Sequence, residues 1–119
     1  MTYPDNTVAW FEIGTADVAA TKEFYGTLFG WTFAADGGYT LISAPNADGP
    51  SGGIFNTSGN IPPYTVFTVR VPDVAASAKQ AEGLGGKVVV APMPAGDDMT
   101  VAYVTDPNGS LFSLFGPKS

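Results

Sequence analysis

VAWFEIGTADVAATKEFYGTLFG (8–30) decides the fold, because YTVFTVRVPDVAASAKQAEGLGG (64–86) repeats it at a fixed offset of 56 residues. Aligned without a gap, seven of 23 positions are identical: Phe11/Phe67, Asp17/Asp73, Val18/Val74, Ala19/Ala75, Ala20/Ala76, Leu28/Leu84 and Gly30/Gly86. Chance in an Ala- and Gly-rich chain gives roughly two, so the sequence is a duplication. Ile13/Val69 and Thr21/Ser77 are conservative besides.

Each copy has the chemistry of a strand followed by a capped helix. Val8–Gly14 and Tyr64–Val71 are rich in β-branched and aromatic residues, as strands are. Asp17 and Asp73 stand where a helix N-cap belongs, their carboxylates able to accept orphan backbone N–H groups. Val74, Ala78, Ala81 and Leu84 then recur at helical spacing, and Phe24/Leu28 and Tyr25/Phe29 form i,i+4 pairs. Gly30 and Gly85–Gly86 mark the helix ends. Three short strands follow each helix: Trp31–Ala34, Tyr39–Ser43 and Gly52–Asn56, then Val88–Ala91, Met99–Thr105 and Leu111–Phe115. Turn residues separate them, notably Asp36-Gly37-Gly38, Asp48-Gly49-Pro50, Pro92–Pro94 and Asp106-Pro107-Asn108-Gly109. The expectation is an α+β fold of two βαβββ units, 7–56 and 63–116, joined by a linker at 57–63 within one 1–119 domain. A unit of that size is marginal alone, so the two are expected to share one sheet system.

Composition excludes whole classes of chemistry. The 119 residues include no histidine and no cysteine. Histidine triads, thiol nucleophiles, zinc fingers, iron–sulfur ligation and disulfides are therefore out. Five Lys and Arg against 11 Asp and Glu give a net charge of −6, unsuited to nucleic-acid phosphates or anionic membranes. The start, MTYPDNTVAW, lacks the basic and apolar regions of a signal peptide, and no apolar run approaches membrane-spanning length. A cytoplasmic protein is the expectation.

The order βαβββ–βαβββ, with FYGTLFGW (24–31) and DPNGSLFSLF (106–115), resembles the vicinal oxygen chelate superfamily. That group includes glyoxalase I, extradiol dioxygenases, and fosfomycin and bleomycin resistance proteins. The resemblance covers nearly the whole chain and implies curved mixed sheets around a cup, commonly in a homodimer. It also implies where a metal would sit. The ligand seven residues before each capping Asp falls here on Trp10 and Val66, and the one seven after the Asp of the D-P-x-G turn falls on Ser113. The fourth would come from Ser51–Thr57 (SGGIFNT), which holds no Asp, Glu or His. No metal and no cofactor are expected.

Strand alternation sorts the remaining candidates. Phe11, Ile13, Phe67, Val69 and Val71 are expected beneath the helices, and Phe24, Tyr25, Phe29, Trp31 and Phe33 in the core. Trp10, Glu12, Val66, Thr68, Arg70 and Ser113 are expected to line the cup as ligand-binding residues, with Leu111 and Phe115 beside Ser113. Glu12 suits a proton acceptor or cation anchor and Arg70 a carboxylate clamp; equally, the two pair with each other or face solvent at the mouth. Trp10 either stacks on a planar ligand or fills the volume of a lost metal site. Asp97-Asp98, beside Pro94, Ala95 and Gly96, reads as a solvated loop, and Gly83, Gly85 and Gly86 as a helix stop rather than a phosphate cradle.

These residues favour a metal-independent protein that sequesters a cationic or aromatic small molecule. A degenerate glyoxalase- or dioxygenase-type lyase or isomerase using Glu12 is one alternative, and an interaction module with a filled cup is another. Neither nucleic acid nor membrane is an expected partner.

Overall fold

The computed structural model describes residues 3–118, so residues 1, 2 and 119 of the expected domain lie outside it. The order of elements is β1 (Thr7–Thr15), α1 (Val18–Phe29), β2 (Thr32–Asp36), β3 (Tyr39–Ser43), β4 (Gly52–Asn56), β5 (Tyr64–Arg70), α2 (Val74–Gly83), β6 (Lys87–Pro94), β7 (Met99–Thr105) and β8 (Leu111–Pro117). This is an α+β fold with the βαβββ order twice. No helix among the described residues is long and apolar enough to cross a membrane.

The chain forms two compact units: Trp10–Thr65, and Val66 onward with the residues up to Ala9. In the first unit the strand order is β2-β3-β4-β1, with β1 parallel to β4 and the other pairs antiparallel. The second unit has β5-β8-β7-β6, with β5 parallel to β8. The sheets are mixed because the helical crossover brings the last strand of each unit alongside its first. Both helices start as the sequence requires: Asp17 accepts the Ala20 N–H and Asp73 the Ala76 N–H, each at 3.0 Å. An N-cap bond of this kind stabilises by about 1 kcal/mol. Gly30 ends α1 at φ 72°, a conformation that a Cβ resists.

Each unit has its own core between helix and sheet. Ile13, Ile42 and Ile54 are buried in the first, with Phe11, Val18, Tyr25, Trp31 and Phe33 packed against them. Val71, Val74, Ala78, Ala102, Val104 and Leu114 form the second, flanked by Val69, Ala81, Val88 and Phe112. Burying each of these Ile, Val and Leu side chains contributes about 1.5–3 kcal/mol.

Four expectations are corrected here. Phe24 and Phe29 are not core: Phe24 is 60% exposed and Phe29 half-exposed, because α1 carries apolar residues on both sides and the sheet covers only one. Leu84 falls past the last helical turn and is likewise exposed. Phe67 has the parity of Val69 and Val71 but is 49% exposed, stacked on Phe112 with ring centroids 5.8 Å apart. Pro92–Pro94 does not stop β6, which runs through to Pro94. As the outermost strand of its sheet, β6 has one side free of hydrogen bonds, and its register shifts around Val90 absorb the irregularity.

Candidate functional site

Alternation along β1 places Trp10, Glu12 and Gly14 on the face opposite α1. Glu12 is 8% exposed, which corrects the reading that it faces solvent. Its register partner on β4 is Gly53. A Cβ on Gly53 would lie 2.1 Å from the Tyr39 ring and hydroxyl, and one on Gly14 would lie 2.1 Å from the Tyr64 ring. Both glycines are thus the floor on which a tyrosine lies flat enough to reach the acid between them.

The polar atoms then connect in one direction. The Trp10 indole Nε1–H donates to Tyr39 Oη at 3.1 Å, and Tyr39 Oη donates to Glu12 Oε1 at 2.9 Å. Tyr64 Oη donates to Glu12 Oε2 at 2.6 Å. Bonds from hydroxyls to a carboxylate are charge-assisted and about twice as strong as neutral ones. They hold the acid in place with an aromatic ring on either side. Among the described residues, no buried side-chain nitrogen or oxygen lacks a hydrogen-bond partner.

In the second unit the position corresponding to Glu12 is neutral. Thr68 is the register partner of Ser113, and their buried hydroxyls lie 2.6 Å apart. Val66 is buried and brings no polar atom. The Arg70 guanidinium lies 5.9 Å from the centroid of the Phe115 ring, which Tyr3 meets edge-on. Of the residues expected to share a site, Trp10 and Glu12 are joined through Tyr39, Thr68 and Ser113 are joined directly, and Arg70 stacks on Phe115. Sequence reasoning missed Tyr39 and Tyr64. The available trace was glycine inside β1 and β4, where it marks close approach of another group.

These residues do not suit a metal. At the positions where the superfamily places ligands, Trp10 offers an indole N–H, Val66 nothing, and Ser113 a hydroxyl already paired with Thr68. The β4 segment presents Gly53 beside Glu12. Among the described residues, no three His, Cys, Asp or Glu side chains gather to hold an ion. Neutral hydroxyls and an isolated carboxylate are a poor shell for Zn²⁺ or Fe²⁺.

Two βαβββ units, each a mixed sheet with its helix on one face, define a paired-module α+β class. Residues 7–45 match the family model described as bleomycin resistance protein-like N-terminal. The anthracycline biosynthesis protein DnrV of Streptomyces peucetius is 31% identical over 125 residues, covering 90% of this chain and 46% of that protein. CFP32 of Mycobacterium tuberculosis, named as a glyoxylase, is 27% identical over 121 residues, covering 95% of this chain and 46% of its own length. Among solved structures, a glyoxalase/bleomycin resistance protein/dioxygenase superfamily member from Vibrio splendidus 12B01 has the same fold. Its TM-score is 0.61 at 14% identity, with 91% of this chain and 96% of that chain covered. The family-model match, the curated relatives and the shared fold together support the vicinal oxygen chelate superfamily, and the chain spans about half the length of the curated relatives it matches.

Proposed function

We propose that this chain is a metal-independent small-molecule-binding protein that sequesters a planar aromatic or cationic compound. The observation that carries the reading is the Trp10–Tyr39–Glu12–Tyr64 assembly, three half-buried aromatic rings organised around one acid. Pockets for small molecules combine apolar and aromatic walls with a few fixed polar groups, and this face has that composition. The side chains at the superfamily's ligand positions support independence from metal. DnrV is named for anthracycline biosynthesis, and anthracyclines are planar fused-ring compounds, which fits a stacking role for Trp10. In this reading Val66, Thr68, Arg70 and Ser113 contribute further ligand contacts, and the protein works as a homodimer.

A lyase or isomerase using Glu12 as general base has less support. Both carboxylate oxygens already accept a tyrosine hydroxyl, so a weakly acidic substrate proton would compete with two phenol donors for the same acid.

Daunorubicin, a planar compound with a cationic amino sugar, is the direct probe. Binding should quench tryptophan fluorescence and raise Tm; at 100-fold over Kd the added stability is about 2.7 kcal/mol. EDTA should change neither result, and light scattering should give the mass of a dimer. Absence of any shift with daunorubicin and with a panel of planar aromatic compounds would overturn the reading. So would stoichiometric metal whose removal abolishes binding.

A further inference from the structure

We propose that the ligand carries a cationic amine that seats against Glu12, walled by the rings of Trp10, Tyr39 and Tyr64. This inference rests on the ligand-binding reading above and names the chemical group that the site selects.

Charge is the first ground. Residues Trp10–Thr65 hold five acids (Glu12, Asp17, Glu23, Asp36 and Asp48) and one base, Lys22, a net of −4. Lys22 lies on α1 with Glu23 and the capping Asp17, and α1 packs on the sheet face opposite Glu12, so the acids of the helix outnumber its one base even on that side. A cation approaching the Glu12 face therefore meets a favourable field from its own unit, whereas a carboxylate or phosphate meets repulsion.

Ring geometry is the second ground. Tyr39 and Tyr64 are bound to the acid through their hydroxyls and laid over glycines, so their rings are fixed beside the negative charge. Trp10 is fixed to Tyr39 by its indole N–H. A carboxylate flanked by aromatic faces attracts ammonium groups twice over, by charge and by the ring quadrupoles. The phenols are neutral donors. An ammonium brings three N–H groups and a full charge, so it can take over a donor's place on the carboxylate and form the stronger bond.

The duplicated unit supplies the internal contrast. Thr68 stands where the repeat places Glu12, its register partner is Ser113 where that of Glu12 is Gly53, and the two hydroxyls close on one another as a neutral pair. The acid that selects a cation thus belongs to the first unit, whereas the second carries the cationic Arg70 against the Phe115 ring.

The test uses daunorubicin and its N-acetyl derivative, which keeps the rings and removes the charge, titrated by tryptophan quenching. The intact protein should prefer the amine by at least tenfold, on the order of one 1.4 kcal/mol step. Glu12→Gln should reduce that preference to about twofold or less, and an undiminished preference would overturn the role given to Glu12. Equal affinity of the intact protein for the two compounds would overturn the cation inference and leave aromatic binding standing. No binding of either compound or of the aromatic panel would instead overturn the reading on which it rests. The unmodified protein alone decides between these outcomes if Glu12→Gln fails to fold.

Discussion

The two units share a register and differ in what they place on it. Glu12 pairs with Gly53 between β1 and β4, and Thr68 pairs with Ser113 between β5 and β8. In the first unit the fourth strand has no side chain at that point, and a tyrosine ring from β3 lies over it to bond the acid. In the second, Ser113 occupies the point itself and closes the face with one short hydroxyl contact. Duplication preserved the backbone pairing and both N-caps. Two exchanges, Glu12 for Thr68 and Gly53 for Ser113, separate an acid bonded by tyrosines from a neutral hydroxyl pair.

Putting the second unit's solution into the first is the severest way to break the contrast. In Gly53→Ala the new Cβ would lie 2.1 Å from the Tyr39 ring, with no room beneath it. Either the ring leaves Glu12 or the strands spread, and overpacking of this kind costs about 3 kcal/mol. Urea denaturation of Gly53→Ala beside Ser113→Ala should show the first falling well below the second. Equal midpoints would mean that Tyr39 does not lie on Gly53, and the site would lose its floor.

Removing the charge comes next. Glu12→Gln leaves one oxygen to accept a phenol and turns an N–H₂ toward the other. Loss of a buried charge-assisted bond costs about 1.5–3 kcal/mol. Tyr64→Phe, which removes only the 2.6 Å donor, should fall at the lower end of that range. An unchanged stability curve for Glu12→Gln would show that the acid is not held by the tyrosines.

The neutral pair should behave differently. Ser113→Ala alone removes the partner of the buried Thr68 hydroxyl, and Thr68→Val leaves Ser113 only its long 3.5 Å bond to the Phe67 carbonyl; each should cost about 1 kcal/mol, whereas the double variant should cost little more than either. A double-mutant cycle measures the coupling. Full additivity would mean that the 2.6 Å contact contributes nothing.

Much of this comparison was legible in the sequence. The repeat located both capping residues, and alternation correctly placed Phe11 and Ile13 on the helix side and Glu12 on the other. Tyr39 and Tyr64 were not legible, because both follow turn segments, Gly37-Gly38 and Pro62-Pro63, and sequence spacing does not connect them to Glu12. Their reach depends on rings crossing Gly53 and Gly14, a contact between strands that periodicity cannot express. Phe67 failed for a related reason: parity gives the side of the sheet, but not whether a helix extends far enough to cover it.

The smallest expected effect concerns the helices. At equivalent repeat positions α1 has Phe24 and α2 has Gln80, and both are exposed. Phe24 keeps an edge-on contact with Tyr25, centroids 5.1 Å apart, but contributes nothing to the cluster of Ile13, Ile42 and Ile54. Phe24→Gln should therefore change stability by no more than about 0.5 kcal/mol, as for other surface substitutions. Gln has a better helix propensity than Phe, which offsets part of the lost ring contact. Urea midpoint and m-value should both stay at those of the unmodified protein. A loss above about 1 kcal/mol would mean that α1 buries Phe24, and the outer face of the first helix would then differ from that of the second in packing as well as in composition.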